Sequence, residues 1–132
     1  MKKYHIAYLF TALAFCCLDY LWLTQIATRF YKSQLGELLG KPDVAAIAAF
    51  YLIYIFGIVM FSVRPAMKTG NVIRALILGA LLGLVAYGTY DLSNLATIRG
   101  WSRQLTAVDM LWGMFATSMA AVAGFLGASW LK

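Results

Sequence analysis

Three aspartates lie within or at the edge of long apolar stretches of the chain, namely Asp19, Asp91 and Asp109. A carboxylate in hydrocarbon costs several kcal/mol unless it faces protein or water, so each of them needs a physical reason. Such groups accept hydrogen bonds, pair with cations, take up protons or act as general bases. The most informative chemistry in this sequence is therefore that of carboxyl groups.

Aromatic and polar side chains accompany these aspartates at helical spacing. A tryptophan follows an aspartate by three residues in DYLW, which starts at Asp19, and again in DMLW, which starts at Asp109. The stretch YGTYDLSN places a tyrosine, an aspartate and an asparagine on one helical face. The candidate residues for binding a substrate or an ion are Asp19, Trp22, Tyr87, Asp91, Asn94, Asp109 and Trp112.

Four apolar runs supply the elements that must position these side chains. The chain has 132 residues, of which 63% are hydrophobic and 12% charged, and its mean hydropathy is +0.78. A soluble domain is about half apolar and about a quarter charged, whereas a membrane-spanning helix needs roughly 20 apolar residues. The sequence predicts an all-α polytopic membrane protein, a four-transmembrane-helix bundle that forms a single domain over residues 1–132. The predicted spans are residues 6–27, 44–63, 72–92 and 104–131.

Shorter signals lie between and at the ends of these spans. The connection TRFYKSQLGELLGKPD has apolar residues at roughly helical spacing, which predicts a short interfacial helix between the first two spans. This helix would anchor the chain at the membrane surface or form a lid over a lateral opening. Pro65 is expected to end the second span, and Asn71 is expected to cap the third.

The direction of the spans brings the three aspartates to one layer of the membrane. At about 1.5 Å per residue, Asp19 lies roughly 12 Å below the end of the first span and Asp109 roughly 7 Å below the start of the fourth. Asp91 lies about one turn from the end of the third span. The distribution of lysine and arginine weakly favours cytoplasmic N- and C-termini, which makes this the outer layer. We therefore predict a polar pocket with aromatic walls that opens outward.

Small residues recur every four positions on the third and fourth spans, a pattern that predicts close helix packing in lipid. One such stripe lies on the third span and two lie on the fourth. They consist of Ala75, Gly79 and Gly83, of Ala120, Gly124 and Ala128, and of Gly113, Thr117 and Ala121. Two stripes on one helix can serve one contact within the chain and one with a second copy, which allows a homodimer.

Several kinds of chemistry are disfavoured by the residues present. His5 is the only histidine and lies at the other end of the first span from Asp19, which excludes a Ser-His-Asp triad within one chain. Cys16 and Cys17 are adjacent and are predicted to be buried packing residues. No phosphate-binding glycine loop or dinucleotide fingerprint occurs, so we predict no cofactor. The aspartates with Asn94 offer ligands to Mg²⁺ or Ca²⁺, but their spacing is not a dedicated metal motif.

The net charge of +6 suits a membrane surface. Anionic lipid head groups attract basic residues next to membrane spans, so membrane lipids are the predicted partners. Nucleic acid is not expected to bind, because the basic residues are divided between the two membrane faces.

The motifs DYLWL, FYKSQLGELL, YDLSNLATIRGW and VDMLWG together resemble the pattern of a family of small bacterial integral membrane proteins of unknown function. The resemblance covers almost the whole chain and implies four transmembrane helices and a bacterial inner-membrane location. It implies no reaction. The residues that match the motifs are Asp19, Trp22, Asp91, Asn94, Asp109 and Trp112.

Three classes of function agree with these features. The first is binding or transport of a small polar or cationic molecule, an ion or a lipid head group in the carboxylate pocket. The second is a lipid-modifying enzyme in which a buried aspartate acts as general base, although the sequence does not identify the catalytic residue. The third is a structural or partner-binding subunit. In that case the aspartates link helices or meet interfacial water, with Arg29, Arg99 or Arg103 as partners.

Overall fold

The computed structural model describes residues 1–131, and nearly all of them are helical. Six α-helices follow one another: α1 (Lys2–Leu21), α2 (Thr28–Leu35), α3 (Val44–Ile58), α4 (Arg64–Thr69), α5 (Val72–Thr97) and α6 (Arg103–Trp130). The chain stays helical from α1 through α2 and from α3 through α4, so each of these pairs forms one long helix. With α5 and α6, this gives four helices that are long and apolar enough to cross a membrane. These spans are Lys2–Leu38, Val44–Thr69, Val72–Thr97 and Arg103–Trp130. The predicted all-α multi-pass architecture is thus confirmed.

The first helix extends beyond the predicted span, because it continues past residue 27. A π-helical turn, Trp22–Ala27, joins α1 directly to α2, so the predicted interfacial segment extends the first span. The Thr28 hydroxyl donates to the Leu23 carbonyl, five residues earlier, within this widened turn. A π turn holds one more residue than an α turn and rotates everything after it. The direction of the α2 side chains therefore depends on this turn.

Pro65 does not end the second helix, contrary to the prediction. It lies in the first turn of α4, directly after a second π-helical turn, Val59–Val63. Proline lacks an N–H, and its ring collides with the carbonyl four residues earlier in a regular helix. The wider π turn removes this conflict, and the helix ends only at Gly70, where φ is 64°.

Polar side chains define where the other helices begin. Asp43, Asn71 and Ser102 accept hydrogen bonds from backbone N–H groups in the first turns of α3, α5 and α6, at 3.1, 2.9 and 3.0 Å. These bonds satisfy N–H groups that have no partner within the helix. The predicted cap at Asn71 is confirmed.

The stripes of small residues on α5 and α6 pack directly against each other. A Cβ added to Gly79 would lie 2.7 Å from the Cα of Ser118, and one added to Gly83 would lie 2.9 Å from the Cα of Met114. Both distances are too short for real atoms, so only glycine permits this approach. The α5–α6 contact is the most extensive in the bundle.

The stripe of α6 that contains Gly124 faces α1 within the same chain. A Cβ on Gly124 would overlap the Thr11 hydroxyl, and one on Gly127 would overlap the Phe10 ring. Helix α6 therefore lies between α1 and α5, and both of its small-residue stripes serve contacts inside the monomer. A homodimer remains a prediction, but neither of these stripes is free to form it.

Two cysteines lie elsewhere than predicted. Cys16 and Cys17 are exposed on the outside of the helix bundle, whereas their neighbour Phe15 is fully buried. Only one face of α1 packs against the bundle, and this face includes Ala7, Thr11 and Phe15. Both thiols therefore lie beside that face rather than within the core.

Candidate functional site

The Asp19 carboxylate connects three helices at one end of the bundle. The Tyr51 hydroxyl of α3 donates to Asp19 Oδ2, and Trp112 Nε1 of α6 donates to Asp19 Oδ1 at 3.4 Å. Asp19 itself is only half-buried on α1. Two donors on one carboxylate stabilise its ionised form without any basic residue.

A second hydrogen-bonded chain begins at the neighbouring tryptophans. The rings of Trp22 and Trp112 stack with their centroids 4.5 Å apart and their planes at 6°. Trp22 Nε1 donates to the Tyr31 hydroxyl at 3.0 Å, and this hydroxyl donates to Asp109 Oδ1 at 2.6 Å. The stacked indoles thus connect the Asp19 group with the Asp109 group.

The Asp91 carboxyl lies on α5 in a different environment. It is 0% exposed, and neither of its oxygens has a hydrogen-bond partner among the described residues. The group that it faces across the α5–α6 contact is the carboxyl of Asp109. Two ionised carboxylates have no proton to donate, so neither of them could supply the other with a hydrogen bond.

A half-open cleft of about 800 Å³ lies beside this carboxyl pair, between α3 and α5. Its walls are largely apolar. The first turns of α3 contribute to the opening, since residues 44–50 are all exposed. The lining residues are Leu23, Ala46, Ile47, Phe50, Tyr51, Ala86, Tyr87, Tyr90 and Asp109.

The structure joins most of the predicted site residues but not all of them. The hydrogen bonds and the stack described above connect Asp19, Trp22, Asp109 and Trp112. Tyr87 lines the cleft, and Asp91 lies behind Asp109 without lining it. Asn94 is half-buried, and its side chain forms no hydrogen bond with a described residue. The predicted binding role of Asn94 therefore has no contact that supports it.

Two tyrosines of the site were not predicted. The sequence pattern places Tyr31 in the predicted interfacial helix and Tyr51 in the second predicted span, and it assigns neither of them to the site. Each hydroxyl donates to a site aspartate. The available signal was their chemistry, because a tyrosine inside a span usually requires a partner for its hydroxyl.

The residues around the site carboxyls are mainly aromatic side chains. Within residues 1–131, no group of three or more His, Cys, Asp or Glu side chains could hold a metal ion. The hydrogen-bond partners of Asp19 and Asp109 are tyrosine and tryptophan, while Arg29, Arg99 and Arg103 are exposed. The arrangement can accept hydrogen bonds, pair with an organic cation or hold a proton.

Four long apolar helices and a carboxyl and aromatic cluster at one end define a multi-pass helical membrane protein. The chain belongs to the family described as Predicted membrane protein (DUF2177), whose model matches residues 4–126. The resemblance inferred from the sequence motifs is thereby confirmed. No curated protein and no solved structure matches the chain.

Proposed function

We propose that this protein binds an amphiphile from the membrane, with the hydrocarbon part in the cleft and a cationic or hydroxylated head group at Asp109. The observation that carries this proposal is the cleft between α3 and α5, which combines apolar walls with a carboxylate at one end. Its volume of about 800 Å³ lies within the usual range of small-molecule sites, about 300–1,000 Å³.

The walls of the cleft favour a hydrocarbon chain. Ile47 and Phe50 of α3 are exposed toward the surroundings of the bundle, and Ala86 of α5 leaves room opposite them. Because the cleft is open on one side, an alkyl chain can enter from the lipid without crossing the helix bundle. Moving an alkyl chain from the lipid into an apolar cleft gains little free energy, because both surroundings are apolar. The affinity must therefore come largely from the head group.

The polar end of the cleft favours a positive or hydroxylated head group. Asp109 Oδ1 accepts a hydrogen bond from Tyr31, and no described hydrogen bond occupies Oδ2. Tyr51, Tyr87 and Tyr90 add aromatic faces around it, which attract organic cations. An anionic head group would be repelled by Asp109.

The location of the protein forms part of the same proposal. The motifs and the distribution of basic residues favour a bacterial inner membrane with cytoplasmic N- and C-termini. In that orientation the carboxyl end of the cleft faces outward. An amphiphile bound there would have its head group near the outer surface, as expected of a protein that binds or moves lipid-like molecules at that side.

The proposal is tested with two amphiphiles of equal chain length, dodecyltrimethylammonium and laurate, on protein purified in neutral detergent. Ala46→Phe fills the cleft, and Ala48→Phe is the matched control, because both alanines are exposed on α3 but only Ala46 lines the cleft. We expect Ala46→Phe to weaken binding of the cationic probe at least about tenfold, equivalent to about 1.4 kcal/mol. Ala48→Phe should bind like the wild type.

Native mass spectrometry and calorimetric titration both report this binding. The proposal is wrong if the two phenylalanine variants bind the cationic probe equally well. It is also wrong if laurate binds the wild type as tightly as dodecyltrimethylammonium does, since the carboxylate at Asp109 would then have no part in selection.

A further inference from the structure

The burial of Asp91 requires an explanation that the amphiphile site alone does not provide. A carboxylate without donors in a dry environment is among the most costly groups that a protein can contain. Asp91 has no exposed surface, both of its oxygens lack a partner among the described residues, and it faces a second carboxyl, Asp109. With both groups ionised, burial and mutual repulsion would both destabilise the folded protein.

The glycine contact near Asp91 limits the access of water to this carboxyl. Gly83 packs against the backbone of α6 at Gly113 and Met114, two helical turns from Asp91. Nearer to Asp91 along α5, Gly88 still lies close to the Met110 side chain of α6. Helices held this close leave little space for water between them, so water cannot replace the missing donors.

We propose that Asp91 and Asp109 share one proton, and that a cationic head group bound at Asp109 displaces this proton. The second half of the proposal rests on the proposed function. One proton gives the pair the donor that it lacks and leaves a single negative charge. On binding, the O–H bond breaks, the proton leaves for water, and two carboxylates plus one cation again carry a net charge of minus one. The net charge of the pair together with its ligand therefore equals that of the pair with its proton.

The other titratable groups near the pair are all acids. Tyr31 reaches Asp109 from α2, and Tyr87 and Tyr90 of α5 also lie near it. Asp19 on α1 is the next carboxyl, and it accepts a hydrogen bond from Tyr51 of α3. An acid that gives a proton to the pair becomes an anion itself, so the net negative charge of the cluster does not change. Ca²⁺ takes about six to eight oxygen ligands, and Mg²⁺ keeps several bound waters, whereas the buried Asp91 carboxyl leaves little space for water, so a proton suits the pair better than these metal ions.

The shared proton can be observed without any ligand. Infrared spectroscopy of the protein in neutral detergent at neutral pH should show the C=O band of a protonated carboxyl. We expect Asp91→Asn and Asp109→Asn each to abolish this band, and Asp19→Asn to keep it, because Asp19 already has two donors. Asp91→Asn should fold, since an amide offers Asp109 the donor that the proton supplied. A band absent from the wild type, or unchanged in Asp91→Asn, would refute the shared proton.

Displacement of the proton is measured by titrating dodecyltrimethylammonium, which has no proton of its own to lose. Calorimetry in two buffers of different ionisation heat counts the protons released. We expect about one per probe for the wild type, and an affinity that falls about tenfold for each unit that the pH is lowered while the pair holds its proton. Asp91→Asn should bind the probe with no proton release and little pH dependence.

The possible failures are distinguishable. If the wild type binds the probe without releasing a proton, the displacement is refuted while amphiphile binding stands. If Asp91→Asn releases as many protons as the wild type, the proton comes from elsewhere and the role of Asp91 is refuted. If the wild type does not bind the probe at all, the proposed function fails and displacement fails with it, whereas the infrared result still decides whether the pair shares a proton.

Discussion

Replacing Gly83 by alanine tests the contact that brings α5 and α6 together. The new Cβ would lie 2.8 Å from the carbonyl carbon of Gly113 and 2.9 Å from the Cα of Met114. Both are backbone atoms, so no side chain can move aside. The two helices must therefore separate by at least about half an ångström. A gap of about 0.5–1 Å forfeits a quarter to a half of each van der Waals contact along the interface. We expect a net loss of about 2–3 kcal/mol, as for an overpacked core.

Gly57→Ala is the matched control for this substitution. Gly57 lies within α3, and a Cβ there meets no atom within 4 Å. Alanine should therefore contribute only its better helix propensity, about 1 kcal/mol of added stability. The assay is reversible unfolding in mixed micelles, followed by helical circular dichroism. Equal stability of the two alanine variants would refute the close-packing argument, and with it the reason given for the dryness of Asp91.

Two further predictions concern the aromatic network. Tyr31→Phe removes the donor to Asp109 and the acceptor for Trp22, and should lower unfolding stability by about 1–3 kcal/mol; a value near zero would show that water replaces the hydroxyl. Stacked indoles couple electronically, so either Trp22→Phe or Trp112→Phe should abolish an exciton couplet in the circular dichroism spectrum. A couplet that survives one of these substitutions would mean that the two rings are not stacked in the membrane.

The general plan of this protein could be predicted from its sequence because it depends on properties that add up along the chain. Apolar length identifies spans, and a constant rise per residue gives the depth of each aspartate. The three carboxyls do lie at the same end of the bundle, and the stacked indoles connect the hydrogen-bonded groups of Asp19 and Asp109. The small-residue spacing likewise predicted the α5–α6 contact.

The remaining features depend on single deviations from regular helix geometry. The π turn Trp22–Ala27 determines where Tyr31 points, and no residue pattern in that segment indicates an extra residue in the turn. The π turn Val59–Val63 allows the helix to pass Pro65, against the usual effect of proline. The expected role of Asn94 rested on helical periodicity alone, which identifies a shared face but does not provide a partner on the opposite helix.

The central position of α6 has a consequence for how the protein is made. In its most apolar window 50% of the residues are buried, against 22% in each of the other three spans, and it follows all of them in the chain. During synthesis the first three spans therefore enter the membrane with their flat glycine faces uncovered and Asp91 unmatched. The fourth span must then insert between two helices that are already in place. Until it does, the nascent chain leaves the glycine face of α5 and the carboxyl of Asp91 uncovered in the membrane, so its biogenesis should be most vulnerable before this span inserts.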